Sequence, residues 1–272
     1  MTLRIGSVPY LNVKPLVDWF HEAECDADVK VTYAVPSQLA RMLREDLLDV
    51  ANVSTFECLR APGLDLVPDI SISADGAVKS VRLFCKRPPA EIRSVALDTS
   101  SLTSAALCRI LLAERFRLSP RYEHHPPNLD AMLQDCDAAL LIGDLKLFNL
   151  MPGTTVYDLG AGWKDLTGLP FVYAAWLARE DRVSSDMISL LARAKEWGIG
   201  NLDLLSERWS ERMRLPLDRC RNYLIDVMDY GLGPAQMEGL HAFQQKCRAH
   251  GLIDDLTPIR LTETPPCPIP GS

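Results

Sequence analysis

The sequence lacks the patterns on which several large protein classes depend. No apolar run approaches the roughly 20 residues that span a bilayer, so a membrane protein is not expected. Neither a G-x-x-x-x-G-K-[ST] loop nor a G-x-G-x-x-G turn is present, which leaves nucleotide phosphate without its usual cradle. The 8 cysteines, at 25, 58, 85, 108, 136, 220, 247 and 267, include no C-x-x-C pair. They read as small buried hydrophobes or free thiols rather than disulfides or zinc ligands. Basic residues are also short: 29 Lys and Arg against 36 Asp and Glu give a formal charge of −7. A nucleic-acid partner calls for the opposite balance, and any anionic ligand must be held by local groups. The opening "MTLRIG" carries no basic and apolar leader, so the cytoplasm is the expected compartment. No cofactor and no metal are expected.

What is present is α/β patterning over 272 residues, enough for one large domain or two modest ones. The spacing predicts a strand at Leu3–Val8, a helix at Lys14–Phe20, and a helix capped by Ser37 with Leu39, Met42, Leu43 and Leu47 as its apolar stripe. Strands follow at Asp49–Val53 and Val78–Cys85. The charged, proline-rich stretch Lys86–Arg93 is the expected first crossing between lobes. A second α/β run comprises strand Ser94–Leu97, helix Thr103–Phe116, strand Arg121–His124, helix Leu129–Asp135 and strand Ala138–Ile142. "FVYAAWL", Phe171–Leu177, does not alternate and so reads as buried on both faces. The last third is helical, with Gly198, Gly231 and Gly251 placed as C-terminal caps. Its proline-rich tail is expected to be loosely ordered.

Polar residues gather at predicted strand ends, where open α/β sheets collect ligands. Tyr10 and Asn12 follow the first strand; Ser73, Asp75, Lys79 and Ser80 lie in "ISADGAVKSV"; Gly143 and Asp144 end "LLIGD". The densest group is the corner Asp98, Thr99, Ser100, Ser101, Thr103 and Ser104. A helix N-terminus with added hydroxyls suits a carboxylate or phosphate. The same residues also serve as one N-cap plus partners for turn N–H groups, and the corner alone leaves both readings open. His124 and His125 read as loop histidines, and the tryptophans as packing. Lys14 and Lys79 are either surface residues or ligand contacts. No Ser-His-Asp or Cys-His arrangement can be drawn.

Seven stretches together resemble the chorismate dehydratase family: "IGSVPYLNVKPL", "VPSQLARML", "ISADGAVKSVRLF", "VALDTSSLTSAALCRILL", "DAALLIGD", "YDLGAGWKDLTGLPFVYAAWLAR" and "RAKEWGIGNLD". Pro9 and Ala77 depart from the family pattern without removing a polar group. The resemblance implies a two-lobed α/β fold like that of type II periplasmic binding proteins, with a ligand cleft between lobes. Residues 1–87 and 176–272 would form one discontinuous lobe and 88–175 the other. It implies dehydration of chorismate to 3-[(1-carboxyvinyl)oxy]benzoate on the futalosine route to menaquinone, with a substrate carboxylate as base. Asn12 and Ser80 would be catalytic. Tyr10, Lys79, Thr99, Ser100, Ser101, Thr103, Ser104, Gly143 and Asp144 would bind substrate as the lobes close. The alternatives are a 1,4-dihydroxy-6-naphthoate synthase of the same pathway and a non-catalytic small-anion-binding protein.

Overall fold

A computed structural model describes residues 2–98, 100–143 and 152–262. Strand β1 (Leu3–Ser7) runs into a tight turn at Leu11–Val13 and the single-turn helix α1 (Lys14–Val17). Strand β2 (Val29–Tyr33) precedes helix α2 (Pro36–Arg44), which starts on Pro36 rather than on a Ser37 cap. The ring fixes φ at a helical value and lacks the N–H that a first turn leaves unused, so no side-chain cap is needed. Leu39 and Leu43 are buried as the stripe requires, whereas Leu47 lies beyond the helix and is 52% exposed. Next come β3 (Val50–Ser54), α3 (Phe56–Arg60) and β4 (Asp65–Ala74).

The middle of the chain gives β5 (Val81–Cys85), β6 (Ser94–Asp98), α4 (Leu102–Phe116), β7 (Arg121–His125), α5 (Leu129–Asp135), β8 (Ala138–Ile142), β9 (Thr155–Asp158) and α6 (Leu159–Thr167). Strand β10 (Phe171–Ala178) then leads to helices α7 (Ser185–Gly200), α8 (Leu202–Met213), α9 (Leu217–Arg221) and α10 (Pro234–Ala249). Gly198 lies inside α7 rather than capping it, because a Cβ there would stand 1.7 Å from the Pro15 carbonyl oxygen. The start of the tail is held in place: the Thr262 N–H donates to Leu66 O at 2.8 Å. Among the described residues no helix is long and apolar enough to cross a membrane.

The strands form two five-stranded sheets, β2-β1-β3-β10-β4 and β7-β6-β8-β5-β9, and these are the cores of two lobes. The chain leaves the first sheet after Ala74, enters the second at Val81, leaves it after Asp158 and rejoins the first at Phe171. Lys86–Arg93 therefore joins two strands of one sheet, and its prolines and charges mark an exposed turn rather than a crossing. β5, expected with the first lobe, hydrogen-bonds to β8 and β9 of the second. β10 lies antiparallel between β3 and β4, buried on both faces as its composition requires.

A single apolar cluster runs through both lobes, joining Ile5, Val53 and Ile72 to Leu83, Val95 and Leu97. Each such side chain contributes about 1.5–3 kcal/mol by leaving water. One carboxylate fastens both passages. Asp158 caps α6 by accepting from Ala161 N at 3.1 Å, and also accepts from Val78 N at 3.0 Å and Lys79 N at 2.7 Å. Gly160 is required beside it, since a Cβ would meet Gly76 O at 2.3 Å.

Candidate active site

A narrow cavity of about 70 Å³ lies between the two sheets, at the ends of β1, β3, β5 and β8. Asn12 reaches it from the turn after β1. The segment that carries Asn12 is held from behind by an unusual pairing. Lys14 is buried, with its ammonium 3.9 Å from the Trp209 ring centroid and 5.1 Å from that of Tyr33. Asp18, one turn on, is buried too and accepts from Trp209 Nε1 at 2.6 Å. Burial pushes the Asp18 carboxyl above its ordinary range, while Trp209, Lys14 and Arg208 act the other way. Two aromatic faces and a carboxylate offset the desolvation of the lysine. Lys14 thus belongs to the mount of Asn12 and not to the cavity lining.

The first-sheet wall carries polar atoms without partners. Asn12 Oδ1, both amide atoms of Asn52 and the Tyr173 hydroxyl are buried and make no hydrogen bond among the described residues. All three residues line the cavity, together with Val8, Val53 and Ile72. Burial drives the Tyr173 phenol well above its usual pKa, so it stays a donor. A buried polar group left unpaired costs about 1–3 kcal/mol. Several such atoms in residues that line one cavity are the mark of a place prepared for a polar ligand.

On the second-sheet wall the hydroxyl corner is already knit together. Ser101 is the N-cap of α4: its Oγ accepts from Ser104 N at 3.2 Å and donates to Ser104 Oγ at 2.8 Å. Ser100 donates from both N and Oγ to Asp98 Oδ1, at 2.8 and 2.5 Å. Thr103 turns away from the cavity and pins the lobes, bonding Ser54 Oγ and donating to Tyr173 O at 3.2 Å. Ser101 and Ser104 do line the cavity, as do Tyr10, Ser80 and Gly143. Tyr223 donates to Ser80 Oγ at 2.8 Å, leaving the Ser80 hydrogen available. Gly143 adopts φ +87°, which favours glycine, and lies against the Tyr10 ring across the mouth. Lys79 points elsewhere, its amine bonded to Asn222 Oδ1. Thr99 and Asp144 lie outside the described residues. Among the described lining residues there is no carboxylate, histidine, lysine, arginine or cysteine. The described lining can therefore donate to and orient an anion, and no conventional base is among its residues.

The family model described as menaquinone biosynthesis matches residues 3–249. The chain belongs to the menaquinone-biosynthesis family. Within that family it is 32% identical to a protein of Thermus thermophilus named chorismate dehydratase, over 89% of this chain and 93% of the relative. A chorismate dehydratase of Campylobacter jejuni is 26% identical, over 91% and 98%. Among solved structures, a protein of Archaeoglobus fulgidus superposes with a TM-score of 0.75 at 17% identity, covering 93% of this chain and 98% of that one. The periplasmic aliphatic sulphonate binding protein of Escherichia coli gives 0.67 at 16%, covering 100% and 94%. The menaquinone-biosynthesis chain thus has the two-lobed periplasmic-binding-protein-like fold.

Sequence reasoning reached the corner, Asn12 and Ser80 but missed Asn52 and Tyr173. Both sit in strands that read as buried and apolar. The available signal was a lone amide within the otherwise small and apolar run "VANV".

Proposed function

We propose that this protein is an enzyme that dehydrates chorismate to 3-[(1-carboxyvinyl)oxy]benzoate, a hydro-lyase step on the futalosine route to menaquinone, carried out in the cytoplasm. Family membership and the names of its relatives support the substrate. The observation that carries the mechanism is a cavity lined by amides, hydroxyls and apolar side chains, without a basic residue among those described. Dehydration suits such a site. A ring C–H bond and the neighbouring C–O bond break, water leaves, and the ring becomes aromatic. The drive lies in the substrate, and no electron or nucleotide is needed.

In this reading the proton passes to a carboxylate of the substrate itself. Asn12 and Asn52 orient the ring and its polar groups, gaining the partners their buried amides lack. Ser80, accepting from Tyr223, gives its own hydrogen to the departing hydroxyl. Ser104 and the N-terminus of α4, a helix of 15 residues, hold a substrate carboxylate. We divide the lobes at the two passages, near residues 77 and 170. Incubating the purified protein with chorismate should generate the aromatic absorbance of the product together with loss of chorismate. Chorismate decay at the solvent rate would overturn the proposal.

A further inference from the structure

The fold brings together a set of donors that chain spacing did not reveal. Glu123 and His125 alternate along the edge strand β7, so both point to the face covered by α5. Cys136 caps the C-terminus of α5 and is buried. One ligand atom from each of Glu123, His125 and Cys136 lies within 4.8 Å of the others. His125 Nε2 is 3.7 Å from Glu123 Oε2, and its Nδ1 is 4.0 Å from Asp135 Oδ2. Glu123 Oε1 is taken by Arg121 Nε at 2.7 Å, which leaves Oε2 for another partner. A further carboxylate lies on the same face of the sheet. Asp98 stands beside His125 in the parallel register, on the same face, and is buried, its Oδ2 without a partner among the described residues.

We propose that Glu123, His125 and Cys136 form a binding site for a divalent transition metal of the zinc type. Thiolate, imidazole and carboxylate together are a borderline-soft set that suits Zn²⁺ in tetrahedral geometry; magnesium and calcium prefer oxygen alone. A water takes the fourth position. On binding, the thiol proton leaves to solvent and a metal–sulfur bond forms, with no change of oxidation state. The metal fastens the free edge of the second sheet to the end of α5, next to the corner that begins at Asp98.

Titrating the full-length protein with Co²⁺ reads this directly. A thiolate-to-cobalt charge-transfer band should grow to one equivalent and be displaced by Zn²⁺. It should persist in Cys25→Ser and Cys267→Ser but vanish in Cys136→Ser. Zinc affinity should fall by at least about tenfold in His125→Gln, since even outer-shell partners of a metal contribute that much. If Cys136→Ser fails to fold, His125→Gln on the edge strand carries the test alone. No band in the wild type, or an unchanged affinity in His125→Gln, overturns the site.

Discussion

The two walls of the cavity use polar groups in opposite ways. On the second sheet Ser100, Ser101 and Ser104 are bonded to Asp98 and to one another, so much of their capacity serves the start of α4. On the first sheet Asn12, Asn52 and Tyr173 hold buried atoms with no partner among the described residues. A dense polar corner is thus a weaker sign of a ligand contact than a sparse one inside an apolar wall. The corner is stable without ligand. The amide wall holds buried polar atoms that a ligand could satisfy.

The sharpest way to break this contrast is Asn12. Asn12→Ala should lower kcat and kcat/KM together by about 10²–10³, the usual loss for a donor that acts in the transition state. Its melting temperature should stay near wild type. Asn12→Asp keeps the shape but faces an anionic substrate with a negative charge, and turnover should fall at least as far. Wild-type kinetics in both variants would make Asn12 structural.

Asn52→Leu separates ligand from fold. It replaces an unpaired buried amide by an apolar side chain of similar size, so stability should rise by about 1–3 kcal/mol in denaturant titrations. The same variant should lose at least about tenfold in substrate affinity, as expected when a hydrogen-bonding site loses its partner. A loss of stability would show that the amide is satisfied in the empty protein.

Ser101→Ala should show the reverse balance: about 1 kcal/mol less stable through loss of the cap, with KM raised only a few-fold. Ser100→Ala should leave KM unchanged. A larger effect on KM than on melting in either variant would return the corner to the ligand. The smallest expected effect is a null one. With no basic residue among the described lining, kcat/KM should be flat between about pH 6 and 9, where a histidine base would bend the profile. A bell-shaped profile would point to a protein base.

Long amphipathic or strongly apolar elements were legible: Leu129–Asp135 and Ala138–Ile142 stand where their pattern puts them, and the last third is helical. β4 was not, for it contains Pro68 and Asp69, residues that strands disfavour. The strand absorbs them, with Asp69 at φ +63° and register shifts against β10. α6 was hidden by Gly160 and Gly162, which weaken helix propensity but are needed where Gly76 and Tyr157 press close. Lobe boundaries depend on which sheet a strand joins, and β5 carries no local mark of that choice. Asn12, after the end of β1, and Ser80, just before β5, both line the cavity as their polar stretches suggested. Thr103 was assigned to substrate because a hydroxyl at a corner gives no hint of which way it points. For Lys14 the sequence leaves surface and ligand contact open, because its two aromatic partners, Tyr33 and Trp209, are far away in the chain.

The position of β10 has a consequence for how the protein is made. This strand fills the place between β3 and β4, yet it is synthesised after every strand of the second sheet. As the chain leaves the ribosome, the strands of the middle lobe have all been made while the first sheet still has a gap between β3 and β4. β3 and β4 then present unpaired edges to whatever strand is near. A chain stopped after Gly168 should protect the amides of β5, β6 and β8 from hydrogen exchange while those of β3 and β4 exchange freely. The lobe that arrives second folds first, and the lobe that opens the sequence waits for the last strand, as a nascent chain in need of shelter.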